Sequence, residues 1–227
     1  MSAGTVLTLF LFNIVVYNIP LLYGTVGEIV TEKAGSLNLG VEGIMAVGAI
    51  FGYLAGCYAN SMLLGLLVSF LAAGLCGLLF AFLTVSLQAN QNVTGLTITT
   101  FGTGLYFFVG KGLGSSWPAM QGSDSLVRGF TAIEIPLLSK IPVLGKVFFS
   151  HSILVYLGVI IAVAVWFYLS RTRLGLRVRA VGENPAAADS VGVNILLYKY
   201  VHLILGAGIM GLGGFYMALN MGGSFEG

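Results

Sequence analysis

The chain has 227 residues, of which 57% are hydrophobic and only 8% are charged, whereas a soluble globular domain carries about 25% charged residues. Residues 1–27 and 43–110 hold no Asp, Glu, Lys or Arg, and a membrane-spanning helix needs about 20 apolar residues. The composition therefore excludes an ordinary soluble domain. The net charge is only +2, and the basic residues are concentrated in one cluster beside an apolar run, so the charge gives no indication of nucleic-acid binding.

The apolar runs predict an all-α fold, namely a polytopic membrane helical bundle of about six spans in the lipid bilayer. Asn13, Asn18 and Pro20 interrupt the apolar run of the first span, but Asn and Pro are tolerated in a membrane helix when neighbouring helices satisfy the backbone. The predicted spans cover residues 4–22, 40–58, 62–87, 93–109, 150–169 and 195–221.

The stretch between the first two spans is polar and rich in glycine. Residues 24–43 contain three Glu, one Lys and five Gly, and these glycines would permit one or more broken helices. Glu42 lies near the start of the following apolar helix, and two interpretations of it stay open. Either the helix dipole favours an acidic residue there, or Asn38 and Glu42 line a polar cavity, since ionisable groups inside membranes tend to be functional.

Threonine recurs every three residues along the fourth span, at positions 94, 97, 100 and 103. One interpretation is helix packing, with the hydroxyls bonded to the backbone or to a neighbouring helix. The other is a hydroxyl-lined stripe that faces a pathway for a polar solute. Under the second interpretation, the candidate pathway residues are Asn38, Glu42, Asn92, Thr94, Thr97 and Thr100.

A basic segment follows the fifth span directly. Four of the ten Lys/Arg residues fall within the nine positions from Arg171 to Arg179, in what we expect to be a loop. A helix of about two turns is predicted next, because Asn184 is a good N-cap, Pro185 suits the first helical position and Gly192 is a natural stop. Such a short helix needs a surface to pack on. The segment is either a solvated Arg-rich loop or a docking site for a cytoplasmic partner.

The dense Arg run also predicts the topology. Basic clusters near the ends of spans favour the cytoplasmic side, so residues 171–194 are expected there. With six spans, the N-terminus and the loop at residues 111–149 then lie outside the cell.

The sequence contains no nucleophile–base–acid set, no nucleotide-binding loop and no haem or zinc spacing. We therefore expect a transport protein rather than an enzyme, with no metal site and no cofactor of its own. Its energy would come from another subunit or from an ion gradient.

Two segments resemble the signatures of a known family. Residues 32–45 (EKAGSLNLGVEGIM) and 173–189 (RLGLRVRAVGENPAAAD) look like those of bacterial ABC-importer permeases of the branched-chain amino acid and ribose type. The first segment resembles most the branch that imports nucleosides and simple sugars. Residues 211–226 agree with that branch, and the similarity covers nearly the whole chain.

The resemblance implies a coupling helix at about Gly182–Val191 that contacts a separate ABC ATPase subunit, where ATP is bound. The expected partners also include a second permease subunit, forming a heterodimer, and an extracytoplasmic solute-binding protein in a bacterial inner-membrane complex. The residues expected at the ATPase contact are Arg173, Arg177, Arg179, Gly182, Glu183, Asn184, Pro185, Ala187 and Ala188.

Nucleosides are the substrate that the resemblance favours. The alternatives are a simple-sugar or branched-chain amino acid ABC permease, then an ion-coupled carrier using Glu42 or Glu28, or a membrane scaffold that transports nothing. We expect residues 1–227 to form a single permease domain. Because the family continues with further spans after Gly222-Gly223, we expect this domain to be truncated relative to the family.

Overall fold

A computed structural model describes residues 3–113, 124–131, 133–134 and 144–221. Within these ranges, six helices are long and apolar enough to cross a membrane, which confirms the predicted helical bundle. The spanning helices are α1 (Ala3–Lys33), α2 (Val41–Tyr58), α3 (Met62–Ala81, continued by a π-helical turn at Phe82–Ser86), α4 (Gln91–Leu113), α7 (Ile153–Arg171) and α10 (Ile195–Asn220).

The shorter elements lie between these spans. Between α4 and α7, β1 (Ile133–Glu134) pairs with β2 (Ser150–His151) in an antiparallel ribbon. The short helices are α5 (Asp124–Phe130), α6 (Leu144–Phe149), α8 (Arg173–Glu183) and α9 (Pro185–Ser190).

Helix α10 is the centre of the bundle and packs against α1, α2 and α3. Its glycines bring the backbones together: a Cβ on Gly27 of α1 would lie 2.5 Å from the carbonyl oxygen of Gly206, and a Cβ on Gly48 of α2 would lie 2.5 Å from the Cα of Gly211. Small residues at such positions are the usual basis of helix association in membranes, because lipid supplies no hydrophobic driving force between helices.

Asn13, Asn18 and Pro20 lie inside the first span without ending it, as expected where a neighbouring helix satisfies the backbone. Helix α1 continues through Pro20 and ends at Lys33, well past the predicted end near residue 22. Proline leaves the carbonyl four residues earlier without its helical donor. That carbonyl belongs to Val16, and the Tyr216 hydroxyl of α10 donates to it at 3.2 Å, so the neighbouring helix completes the backbone hydrogen bonding.

The chain turns back into the bundle after α1, in the segment of residues 34–40 that we call the re-entrant segment. Helix α2 begins beside Gly24, because side-chain atoms of Val41 and Met45 lie 3.3 Å from a Cβ placed on Gly24. Gly24 is two to three turns before the end of α1 at Lys33, roughly 13 Å along the helix. Helix α2 therefore starts inside the bundle, which matches the predicted broken helix.

The basic segment is helical, not the loop that we expected. Helix α8 starts after Thr172, whose hydroxyl oxygen accepts a hydrogen bond from the Gly175 N–H at 3.0 Å. Val178 and Val181 are fully buried, so the segment has an apolar face at helical spacing that the charged residues concealed. The prediction for the next helix is confirmed: the Asn184 side chain accepts from the Ala187 N–H at 3.0 Å, and α9 begins at Pro185.

The Val16–Tyr216 hydrogen bond can be tested with a double-mutant cycle. Tyr216→Phe should lower the free energy of unfolding by about 1 kcal/mol, the usual worth of one hydrogen bond. In a Pro20→Ala background the loss should be close to zero, because residue 20 then supplies the missing N–H. Reversible unfolding in mixed detergent micelles measures both values.

Tyr23→Phe is the matched control, because the Tyr23 hydroxyl donates to Leu154 O at 2.8 Å. The free energy lost with this hydrogen bond should not depend on residue 20. An equal cost of Tyr216→Phe in both backgrounds would show that Tyr216 does not compensate for the proline.

Candidate functional site

Three side chains from two helices, α1 and α4, hold the re-entrant segment. The Asn38 N–H donates to Glu28 Oε1 of α1 at 2.9 Å, and the Leu37 N–H donates to Gln91 Oε1 of α4 at 2.8 Å. The Thr99 hydroxyl of α4 donates to Leu39 O at 3.1 Å. These bonds replace those that a regular helix would make, so non-helical backbone is stable between the helices.

Asn38 belongs to this internal scaffold. Its side chain is 1% exposed, and its Oδ1 atom accepts from the Gly40 N–H at 2.9 Å. Its Nδ2 group is buried and has no hydrogen-bond partner in the described part of the chain. Asn38 therefore shapes the turn that precedes α2.

Helix α4 is pressed against the start of α2. A Cβ on Gly102 would overlap the backbone of Gly43, and a Cβ on Gly95 would lie 2.7 Å from the backbone nitrogen of Leu39. This contact aligns the start of α2 with the middle of α4 along the bundle axis, so Glu42 on α2 and Thr103 on α4 face the same space.

That space is a cavity of about 560 Å³ among α1, α2, α4 and α10. Most of its wall is apolar. Glu42 contributes a carboxylate, which makes no hydrogen bond or ion pair with any described residue. The other residues with polar or aromatic groups in the wall are Tyr17, Thr103, Tyr106, Phe107 and Asn220.

The predicted pathway residues do not all meet at this cavity. Glu42 lines it, whereas Thr94 is buried in the bundle and Asn92 is exposed at the start of α4. Thr97 and Thr100 are exposed, and their hydroxyls donate to Val93 O and Leu96 O of their own helix. This bonding is the one that the packing interpretation expects, and a role for these residues in a solute pathway stays a prediction.

The sequence interpretation missed most of the cavity wall, although Thr103 is the last member of the threonine repeat at residues 94, 97, 100 and 103. Thr103, Tyr106 and Phe107 occupy positions i, i+3 and i+4 of α4, which lie on one helical face. That spacing was visible in the sequence. Tyr17 and Asn220 had no such signal, because they reach the cavity only through the packing of α1 against α10.

A direct backbone contact joins the re-entrant segment to α8. A Cβ on Gly182 would overlap the carbonyl oxygen of Lys33 and lie 3.0 Å from the Gly35 nitrogen. Gly35 itself has a φ of +81°, a conformation that side chains other than glycine's rarely adopt. Two glycines therefore allow the end of α8, immediately before α9, to rest on the re-entrant segment.

The other predicted ATPase-contact residues lie on the surface around this contact. Glu183, Asn184, Pro185 and Ala187 are exposed, while Ala188 is 2% exposed and anchors α9. On α8, the side chains of Arg173 and Arg177 are exposed and that of Arg179 is half-buried. We call this end of the bundle, with Lys33, α8 and α9, the basic end.

No described residues form a group of three or more His, Cys, Asp or Glu side chains that could hold a metal ion. The two cysteines, Cys57 and Cys76, are free thiols.

A helical bundle with a discontinuous helix beside a cavity between four helices defines a class, the multi-pass membrane proteins with a transporter-like core. Residues 10–225 match the family described as the permease component of the branched-chain amino acid transport system. The chain therefore belongs to this permease family, which confirms the resemblance noted in its sequence.

Three relatives illustrate the range of the family. The chain is 33% identical over 233 residues to the nucleoside ABC transporter permease protein NupC of Lactococcus lactis subsp. cremoris, covering 100% of this chain and 72% of that protein. It is 35% identical over 209 residues to the guanosine ABC transporter permease protein NupQ of Bacillus subtilis, covering 88% and 63%.

The third relative is TsgC13 of Haloferax volcanii, provisionally named a glucose ABC transporter permease protein. It is 36% identical over 203 residues, which are 88% of this chain and 59% of that protein. This chain thus spans only part of the length of each relative. No solved structure matches it.

The contact between Gly182 and the re-entrant segment makes a testable prediction. Gly182→Ala should destabilise the protein by about 1–3 kcal/mol, because the new methyl group meets backbone atoms that cannot move aside. It should also expose the end of α1, so tryptic cleavage after Lys33 should become faster. Thermal unfolding in detergent and limited proteolysis measure the two effects.

Gly112→Ala is the control, since a Cβ at Gly112 of α4 meets no atom within 4 Å. This variant should be neutral or slightly more stable than the wild type. If both alanine variants behave alike, the close contact between α8 and the re-entrant segment is not present.

Proposed function

We propose that this chain acts as a transmembrane permease subunit of an ATP-driven ABC importer for nucleosides, with ATP hydrolysed on a separate ATPase subunit. The observation that carries the proposal is the re-entrant segment. One of its ends contacts α8 through Gly35, and the other leads directly into Glu42 at the cavity. A displacement of the basic end would therefore reach the cavity wall through one short stretch of backbone.

Helix α9 is suited to receive such a displacement. It has six residues, too few to be stable alone in water. Ala188 attaches it to the bundle, and the Asn184 side chain caps its first turn. Its remaining surface, which includes Pro185 and Ala187, is exposed and offers small side chains to a cleft in an ATPase subunit.

The proposed orientation places the basic end in the cytoplasm. Arg171 ends α7, and Arg173, Arg177 and Arg179 follow it in α8, so the cluster lies next to a span, where the positive-inside rule is strongest. The N-terminus and residues 111–149 would then face the outside of a bacterial inner membrane. An extracytoplasmic solute-binding protein would deliver the solute on that side.

A second permease subunit is part of the proposal, and we favour a heterodimer. Large apolar side chains are exposed on α1, α4 and α7, for example Phe10, Phe108 and Trp166. Such surfaces suit both lipid and a neighbouring membrane subunit.

Nucleosides are the proposed substrate because two of the three relatives above carry nucleoside or guanosine in their names. A simple sugar is the second candidate, supported by the name of the Haloferax relative. An ion-coupled carrier based on Glu28 is less consistent with the structure. Both carboxylate oxygens of Glu28 already accept hydrogen bonds, from the Asn38 N–H and the Thr31 hydroxyl.

Docking at α9 can be tested with matched tryptophan substitutions. Ala187→Trp should abolish co-purification of the ATPase subunit, because a large side chain on the exposed face of α9 prevents close fit. Membrane insertion should be unchanged, and the free energy of unfolding should stay within about 0.5 kcal/mol of the wild-type value, as for most surface substitutions. Affinity purification from membranes measures the ATPase content.

Ala59→Trp is the control, since Ala59 is exposed at the opposite end of α2. It should leave co-purification unchanged. If the Ala187→Trp variant still co-purifies with the ATPase subunit, α9 is not part of the docking surface.

The energy source is tested by reconstituting the complete complex into proteoliposomes with its solute-binding protein. Uptake of tritiated uridine should require ATP inside the vesicles and should not respond to a proton or sodium gradient. Uptake driven by a gradient without ATP would support an ion-coupled carrier and contradict the proposal.

A further inference from the structure

We propose that the cavity among α1, α2, α4 and α10 is a ribonucleoside site, in which the Glu42 carboxylate accepts hydrogen bonds from the 2′ and 3′ hydroxyls of the ribose. This inference rests on the proposed function and names the binding site that would serve it. The volume of about 560 Å³ falls within the range of roughly 300–1,000 Å³ that is typical of small-molecule sites.

Glu42 has the properties that a diol receptor needs. It lies in the first turn of α2, a position where an acidic side chain interacts favourably with the helix dipole. No described residue pairs with it, so both oxygens can accept from a solute. A carboxylate accepts two hydrogen bonds side by side, and the neighbouring hydroxyls of ribose supply two donors. A 2′-deoxyribose supplies only one.

The rest of the wall suits a flat aromatic base. Tyr17 of α1 and Tyr106 and Phe107 of α4 line the same cavity, and the two rings on α4 pack edge to face with centroids 5.5 Å apart. Bases stack on aromatic side chains without regard to sequence, because every base has a π-face. The Asn220 amide adds a donor and an acceptor for the edge of a base.

The same wall disfavours a free hexose. A hexose carries hydroxyls around its whole ring, and burial without partners is costly for each of them. Much of the wall is apolar, including Pro20, Leu21 and Ala46. The Thr103 hydroxyl already donates to Thr99 O at 2.8 Å, so it can only accept from a solute. A nucleoside confines its hydroxyls to one end and therefore fits this distribution better.

The test measures binding to the assembled complex in nanodiscs, without the solute-binding protein. Tritiated uridine is the probe, and unlabelled uridine, 2′-deoxyuridine and glucose compete with it. Uridine should compete better than 2′-deoxyuridine by roughly tenfold or more, the effect of one hydrogen bond to a charged group. Glu42→Gln should reduce this ratio to about one to three, because an amide offers only one acceptor oxygen to the diol.

Two further variants keep the test independent of folding. Glu32→Gln is the matched control, because Glu32 is exposed at the basic end, and it should retain the wild-type ratio. Tyr106→Leu should weaken the binding of uridine and of 2′-deoxyuridine by the same factor, because it removes base stacking and leaves the contact with the ribose hydroxyls. Thermal unfolding of each variant confirms that the bundle is intact.

The outcomes separate this proposal from the proposed function. Equal competition by uridine and 2′-deoxyuridine in the wild type, or an unchanged ratio in the Glu42 variant, would overturn the ribose contact even if ATP-driven nucleoside uptake persists. Stronger competition by glucose than by uridine would overturn both the site and the nucleoside substrate. A ratio that depends on Glu42, in a complex that shows no ATP-driven uptake, would support the site and contradict the importer.

Discussion

The hydrogen bonds that hold residues 34–40 are the interactions on which the architecture depends. Backbone polar groups inside a bilayer have no water to bond with, and each unsatisfied group costs several kcal/mol. Here Glu28 and Gln91 accept the N–H groups of Asn38 and Leu37, and Thr99 donates to Leu39 O. These side chains let α2 begin inside the bundle and so place Glu42 at the cavity instead of at the membrane surface.

The same segment connects the two ends of the proposed mechanism. Gly35 and Gly182 let α8 touch the re-entrant segment without any intervening side chain. Interfaces of packed backbone transmit displacement because they are close-packed and resist compression. In the proposed importer, an ATPase subunit that moves α9 would also move α8, and the re-entrant segment would carry that movement to α2. In that importer, the contact at Gly182 and the acceptor at Glu28 would serve coupling as well as stability.

The sequence predicted the features that depend on local chemistry. The six spans follow from apolar length, and α9 follows from the Asn184 cap and Pro185. The sequence could not identify the features that a distant residue decides. Helix α1 passes through Pro20 because Tyr216, 200 residues after Val16, supplies the missing donor. No local pattern records such a partner, and Tyr17 and Asn220 were missing from the predicted cavity wall for the same reason.

Hydrogen–deuterium exchange of the assembled complex tests the central claim most directly, which is that the basic end and the re-entrant segment move as one unit. Exchange is compared with and without a non-hydrolysable ATP analogue, which closes the ATPase subunits. The account predicts that exchange changes together in peptides covering residues 173–190 and residues 34–40, while peptides from α7 stay constant. A change confined to residues 173–190 would contradict the proposed connection between the ATPase contact and the cavity.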